Sequence, residues 1–167
     1  MKYIRGIINN NPANIRRGSN WKGLVPFLTN PSNGQIVKDK RFCQFSEMKY
    51  GIRALLVVLR TYHYKHKLNT ISKVLHRYAP LSENNTYAYI ANVCSWISSM
   101  YDEQSKKEPA LTGCDTLFYV ADSASFCWFI NPQTPSFACR CLAKCICKQE
   151  TGYVLSDNML DEAIKLL

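Results

Sequence analysis

The sequence lacks long apolar runs. Its longest uninterrupted apolar stretch covers residues 54–59, whereas a membrane-spanning helix needs about 18 or more such residues. Residues 1–9 likewise contain no apolar stretch of the length that a secretory signal requires. These two absences predict a soluble protein that is made in a cytoplasm without a signal peptide.

The chain also lacks the common signatures of nucleotide-binding and hydrolytic enzymes. It contains no P-loop, no G-x-G-x-x-G, no H-E-x-x-H and no G-x-S-x-G motif. Histidine is scarce as well, with three residues in total. His63 and His66 are spaced so that they could touch one ligand, but they stand among tyrosines and lysines, which favours an exposed basic helix end. We predict neither a metal ion nor an organic cofactor.

Acidic residues are few relative to basic ones. The chain has 21 Lys and Arg against 12 Asp and Glu, which gives a net charge of +9. Such a surface suits an anionic partner, namely nucleic acid, a lipid surface or a bacterial cell wall, and the charge alone does not choose among them. Apolar residues make up 47% of the chain and charged ones 20%, which excludes disordered, collagen-like and coiled-coil classes.

Cysteine is plentiful, with eight residues. Cys139, Cys141, Cys145 and Cys147 form a C-x-C-x3-C-x-C cluster, which lacks the C-x2-C pairs of common zinc sites. A chain of this length buries enough surface to fold without disulfides. We therefore predict reduced cysteines packed around a helix as small apolar side chains. A metal site and disulfides are the alternatives.

Apolar periodicity predicts a mainly helical fold class. From Ser46 onward, Ile52, Leu55, Leu56 and Leu59 recur at helical spacing and form one stripe. Further helices are predicted after the N-caps Thr70, Asn84 or Asn85, and Ser156, from Asp115 to about Ile130, and over roughly 136–149. Residues 102–113 are predicted as a surface linker, and the first 45 residues as loops with a short β-hairpin.

An asparagine-rich segment precedes the first tryptophan. Asn11, Asn14 and Arg16 lie in this segment, and Trp21-Lys22-Gly23 follows it. Asparagine side chains bond to their own backbone in turns, so a purely structural loop is one interpretation. The other is a loop that lines a groove for a ligand rich in hydroxyl and amide groups, with Trp21 as a stacking face for a sugar ring.

Two carboxylates stand at predicted helix ends. Glu83 lies in the first turn of a helix, where the helix dipole stabilises a negative charge. Glu150 lies at the end of an apolar helix just before Gly152. At this end the helix dipole destabilises a negative charge. An apolar cleft around Glu150 would disfavour its charged form, as a general acid requires. An exposed Glu150 without a role is the alternative.

The order of four motifs resembles a family of small phage and prophage proteins that are labelled virion structural proteins of the P5 type. The family's motifs read NNPGNIR, FxxFxxxxxGIRA, RWAPxxENxTxxYI and HENG. This chain has NNPANIR, FCQFSEMKYGIRA, RYAPLSENNTYAYI and QETG. The resemblance covers residues 5–100 strongly and 138–165 weakly, and 102–137 is interpreted as an insertion. Ala13 replaces a family glycine, and Glu150 stands in a shortened version of the last motif.

The motifs also resemble a bacterial glucosaminidase of the lysozyme-like superfamily in rearranged order. Glu150-Thr151-Gly152 comes last in this chain instead of first, as a circular permutation would produce. The resemblance implies one lysozyme-like domain over residues 1–167. It implies Glu150 as the general acid, assisted by Tyr89, with Glu83 as the one candidate for a second carboxylate. The residues implied for the substrate groove are Asn11, Asn14, Arg16, Trp21 and Phe45.

The sequence and the resemblances leave three candidate functions for the chain. The first is cleavage of peptidoglycan glycan strands, by hydrolysis or by a lytic route, with the bacterial cell wall as partner. The second is a non-catalytic virion or interaction protein with the same shape, whose partners are other phage virion proteins. The third, ranked last, is a nucleic-acid-binding module that uses the basic charge. The resemblance places such a protein in the virion or at the cell wall after synthesis in the host cytoplasm.

Overall fold

The computed structural model describes residues 4–30, 33–107 and 127–167. The elements within these ranges are α1 (Arg5–Ile8), β1 (Leu28–Thr29), β2 (Ile36–Val37), α2 (Met48–Tyr64), α3 (Ile71–Tyr78), α4 (Thr86–Lys107), β3 (Phe129–Asn131), β4 (Thr134–Pro135), α5 (Phe137–Thr151) and α6 (Asp157–Ile164). Strands β1 and β2 pair antiparallel, and so do β3 and β4. The predicted fold class, mainly helical with a short hairpin in the N-terminal region, is confirmed.

The chain divides into two compact units. The first unit comprises Met1–Val57 and Ile146–Leu167, and the second comprises Val58–Cys145. Helices α2 and α5 contribute residues to both units. The predicted single domain over 1–167 stays a prediction, and the proposed insertion at 102–137 falls largely outside the described residues.

The N-terminal part of the first unit is loop-rich, as predicted. The ribbon of β1 and β2 pairs Leu28 with Val37. Two isolated antiparallel bridges, Arg16 with Phe42 and Leu24 with Phe45, tie the segment before the ribbon to the segment after it. The short helix α1 is an addition that no periodic pattern predicted, because four residues are too few to show a period.

Helix α2 begins the core of the first unit. Its predicted apolar stripe is confirmed, since Ile52, Leu55 and Leu56 are fully buried. Arg53 points away from this stripe, and its Nε donates to the carbonyl of Leu166 at 2.8 Å. The C-terminal helix α6 also belongs to this unit, and the predicted cap is confirmed because the Ser156 side chain accepts a bond from the Met159 amide.

Helices α3 and α4 pack together in the second unit. Thr70 caps α3 by accepting a hydrogen bond from the Lys73 amide, and Asn85 Oδ1 accepts one from the Ala88 amide at the start of α4. Both caps were predicted. The buried apolar side chains of these two helices include Ile71, Val74, Leu75, Val93 and Ile97.

Two predictions about the middle of the chain are wrong where the structure describes it, at residues 102–107 and 129–130. Helix α4 continues to Lys107, where a linker was predicted from residue 102. The predicted helix from 115 to 130 lies mostly outside the described residues, but its last part is strand β3. Trp128 holds this strand in place, because its indole N–H donates to Leu68 O and its carbonyl accepts from the Ser136 amide. Short apolar runs do not distinguish strand from helix.

The cysteines of α5 are buried. Cys139, Cys141, Cys145 and Cys147 are at most 3% exposed, and every cysteine within the described ranges is unbridged. Burial strongly raises the pKa of the Cys139 thiol. No cluster of three or more potential metal ligands occurs in the part of the chain that the structure describes. None of the helices in that part is long and apolar enough to span a membrane.

Candidate functional site

The asparagine loop after α1 is fixed by its own side chains. Asn10 adopts a positive φ of 50°, and its Nδ2 donates to Phe45 O at 2.9 Å. Asn11 is fully buried, donates to Ile15 O and Cys43 O at 2.9 Å, and accepts from the Ile15 amide at 2.8 Å. These bonds give side-chain partners to backbone groups outside the helices and named strands, which restrains the loop.

Asn11 and Phe45 both have structural roles in the first unit. Neither side chain has exposed surface, and the place in the substrate groove that the resemblance implied for both stays a prediction. Phe45 fills the core of the first unit, and its amide donates to Asn9 O at 2.9 Å. The bonds of Asn11 explain why asparagine suits this motif, since an amide side chain can donate and accept hydrogen bonds at the same time.

Asp39 and Gln44 complete the scaffold of the loop. Gln44 is buried, and its Nε2 donates to Asn9 Oδ1 at 3.1 Å and to Val37 O at 2.9 Å. Partial burial alone would raise the pKa of Asp39. Hydrogen bonds from the Phe42 and Arg41 amides and from Asn9, together with the charge of Arg5, outweigh that effect and lower the pKa below its usual value.

Asn14 links the loop to the end of α5. Its Nδ2 donates to Glu150 Oε2 at 2.9 Å and lies 3.5 Å from the Glu150 carbonyl oxygen. The residue adopts a positive φ of 49°, a region that asparagine enters more readily than most residues. Its Oδ1 is buried and has no hydrogen-bond partner within the described residues. The structure thus brings together two predicted site residues that lie 136 positions apart.

The end of α5 sets the position of Glu150. Thr151 is buried, and its Oγ1 lies 2.9 Å from Cys147 O and 3.3 Å from Pro12 O. Gly152 ends the helix with a φ of +70°, and its amide donates to Lys148 O at 2.8 Å. Glu150 itself is half-buried, and the loop contacts its carboxyl group through Asn14.

Gly6 permits the close approach of the loop to α5. A Cβ at this position would overlap the Thr151 methyl group and would lie 2.8 Å from Asn11 O and 3.0 Å from Asn14 Oδ1. Ala13 does not have a positive φ, so alanine fits where the resembling family has glycine. Sequence reasoning missed Gly6, because a single glycine in a short helix carries no pattern.

The other predicted groove residues lie elsewhere on the first unit. Arg16 is exposed, and Trp21 is half-buried with an indole N–H that has no hydrogen-bond partner among the described residues. Next to Trp21, Gly23 has a φ of +77° and leaves room for the ring of Tyr50. Trp21 and Arg16 keep enough exposed surface to contact a ligand.

Tyr89 and Glu83 belong to the second unit. Tyr89 is 4% exposed in the first turn of α4, and Glu83 is exposed in the turn before that helix. The Glu83 amide donates to Pro80 O at 2.9 Å. The predicted pairing of Glu150 with Tyr89 and the role of Glu83 as a second carboxylate stay predictions.

Fold and site together define a mainly helical protein whose asparagine-rich loop anchors a half-exposed glutamate at a helix end. No protein-family model matches the chain. Over 90 residues the chain is 38% identical to Protein P5 of Pseudoalteromonas phage PM2, a match that covers 52% of this chain and 51% of that protein. The chain therefore spans about half the length of the curated relative it matches. This similarity supports the resemblance to P5-type phage proteins, whereas the lysozyme-like resemblance stays a prediction.

Proposed function

We propose that the chain is a phage virion protein whose first unit cleaves the glycan strands of bacterial peptidoglycan, with Glu150 as general acid. The observation that supports the proposal is the hydrogen bond from Asn14 Nδ2 to Glu150 Oε2. It joins the asparagine loop to the carboxylate that the lysozyme-like resemblance implies. Such a protein would act from the virion or after delivery to the cell wall.

The free-energy cost of the backbone conformation and buried oxygen of Asn14 supports a functional role for this residue. A positive φ at a residue other than glycine and a buried oxygen without a partner each destabilise the folded chain, by about 1–3 kcal/mol for the oxygen. Both occur at the residue that donates to Glu150. Local strain of this kind is typical of functional sites, where it is retained because it holds a reacting group in place.

The geometry also defines the chemistry that we propose. Oε2 accepts from Asn14, so in the proposed mechanism Oε1 would carry the proton that is transferred. Glu150 would pass this proton to the glycosidic oxygen as the C–O bond breaks, and the leaving sugar departs as an alcohol. Water or the sugar's own 6-hydroxyl then attacks the cation and returns a proton to Glu150. Most glycosidases use two carboxylates, but Glu83 belongs to the second unit, so we propose a single-carboxylate route for the first unit.

The test is cleavage of purified peptidoglycan by the full chain. Glu150→Gln keeps the size of the side chain and removes the proton donor, so we expect activity to fall by a factor of about 100 or more. Glu162→Gln changes an exposed carboxylate on α6 of the same unit and serves as the matched control. Mass analysis of the products separates the routes, since lytic cleavage leaves anhydro ends that are one water lighter.

A non-catalytic virion protein is the second candidate. The similarity to a phage protein supports its phage origin, and this candidate requires no catalytic residue. Under this alternative the unaltered chain would leave peptidoglycan intact while still binding other virion proteins. Equal activity of the Glu150→Gln variant and the unaltered chain would reject Glu150 as the acid.

A further inference from the structure

Residues 48–82 contain no acidic side chain, although the whole chain has 12. The same segment contains all three histidines and seven of the 21 Lys and Arg residues. In the second unit this segment forms the end of α2 and the whole of α3. The end of α2 and α3 therefore present positive side chains on their surface, and neither segment contains a carboxylate that could neutralise them.

The cations of this surface are interleaved with aromatic rings. We define the α2–α3 patch as Tyr62, Tyr64, Lys65, His66, Lys67 and Arg77. Lys65, Lys67 and Arg77 are exposed, and Tyr64 is 39% exposed. Alternation of positive charge with accessible rings is typical of surfaces that bind nucleic acid.

Arg77 contacts two ring side chains of the patch. Its Cζ lies 5.4 Å from the centroid of the Tyr62 ring, and its Nη2 donates to His66 Nε2 at 3.3 Å. Partial burial and the positive charges of Arg77 and Lys65 lower the pKa of His66, which agrees with a neutral imidazole that accepts from Arg77. A guanidinium that is oriented in advance loses less entropy when it binds a phosphate.

Tyr64 supplies a ring surface next to these cations. Its centroid lies 4.8 Å from that of His63 and 6.2 Å from that of the buried Phe129. Burial and the charge of Lys67 lower the pKa of His63, which places Lys67 near the same rings. Tyr64 is thus supported on one side by packed rings while part of it faces solvent.

We propose that the α2–α3 patch binds single-stranded nucleic acid, with Lys65, Lys67 and Arg77 on phosphates and Tyr64 beneath a base. Phosphate contacts by Lys and Arg supply affinity without sequence preference, and base stacking on an aromatic ring adds to it. An anionic lipid surface would also attract these cations and can accommodate a tyrosine at its interface, so it is the competing partner in the test below. The patch belongs to the second unit, whereas the proposed acid Glu150 belongs to the first.

The test is fluorescence anisotropy of a labelled 20-nucleotide DNA strand with the full chain at graded KCl. The patch variant Lys65→Gln/Lys67→Gln/Arg77→Gln removes three charges and should lose about 10-fold or more in affinity, with a salt slope smaller by about 2. The control variant Lys22→Gln/Lys38→Gln/Lys40→Gln removes the same charge from exposed positions of the first unit. It should change affinity by less than about 3-fold. An equal loss in both variants would overturn the proposal in favour of general charge attraction.

A second pair of variants tests the stacking contact. Tyr64→Ala should weaken binding of the single strand by about 5-fold or more, whereas Tyr87→Ala, 67% exposed on α4, should leave it within about 2-fold. Vesicles that contain an anionic lipid provide the competing partner. The proposal would be overturned if the patch variant lost binding to these vesicles and Tyr64→Ala had no effect in the DNA assay. That result would assign the patch to a membrane surface.

Discussion

Asn14 Nδ2 lies 2.9 Å from Glu150 Oε2 across 136 positions of the chain. This contact joins the asparagine loop near the start of the first unit to the helix end near its close. Asn10 and Asn11 donate to backbone carbonyl groups, whereas the Asn14 side chain donates to the carboxylate of the half-buried Glu150. Asn14 is therefore the loop residue whose removal should separate function from folding.

We expect Asn14→Gly to reduce glycan cleavage while changing the free energy of unfolding by less than about 1 kcal/mol. Glycine tolerates the positive φ and removes the buried Oδ1 that lacks a partner. Those gains offset the lost hydrogen bond to Glu150, which is of similar size. Chemical denaturation and the peptidoglycan assay on the same preparation give the two readings.

Asn10→Gly is the matched control for that prediction. Asn10 has nearly the same φ, but its side chain donates to backbone carbonyls of Phe45 and Ser46. Its loss should lower stability by about 1–2 kcal/mol. If both variants destabilise the protein equally, Asn14 has the same structural role as Asn10 and the argument from its strain fails.

Gly6→Ala should destabilise the first unit by about 1–3 kcal/mol through overpacking. The new methyl group would overlap the Thr151 methyl group and crowd Asn11 O. Thr151→Ser removes that methyl group and keeps the hydroxyl that reaches Cys147 O. The double variant should therefore recover part of the lost stability, and a double-mutant cycle in urea measures the coupling. Strict additivity would show that Gly6 and Thr151 do not oppose each other.

Local patterns predicted much of the fold. The stripe of α2 and the caps Thr70, Asn85 and Ser156 appear in the structure because spacing and capping chemistry act within one turn. The contact between Asn14 and Glu150 depends on tertiary packing, so only the family resemblance indicated that both residues belong to one site. Strand β3 was missed because short apolar runs do not distinguish strand from helix, and the residue before it, Trp128, is held by a bond to Leu68, 60 positions away.

The buried cysteines should resist modification in the folded protein. Cys139, Cys141, Cys145 and Cys147 have almost no exposed surface, and burial disfavours the reactive thiolate. A thiol reagent at pH 8 should modify these four only at the rate of unfolding, whereas in denaturant all eight cysteines of the chain should react. A smaller total in denaturant without reductant would reveal disulfides, and stoichiometric zinc in the purified protein would reveal a metal site.

Asp39 should make the stability of the first unit depend on pH in the acid range. The folded state lowers the pKa of Asp39 from 3.8, so on acidification the unfolded chain takes up the proton first. The stabilisation is therefore complete above about pH 5, well above the pKa of the unfolded chain, and is lost as the pH falls through the folded pKa. Its structural source is the set of bonds to Oδ1 from the Arg41 and Phe42 amides and to Oδ2 from Asn9.

Asp39→Asn tests this dependence. The amide cannot accept at both positions, so we expect a loss of about 1–3 kcal/mol at pH 7. The difference in unfolding free energy between the variant and the unaltered chain should shrink steadily below about pH 4, because protonation then removes the same bonds from Asp39 itself. Asp161→Asn, at an exposed position of α6, should cost less than about 0.5 kcal/mol at either pH. A difference for Asp39→Asn that stays constant from pH 7 to pH 3 would show that its carboxylate charge does not stabilise the loop.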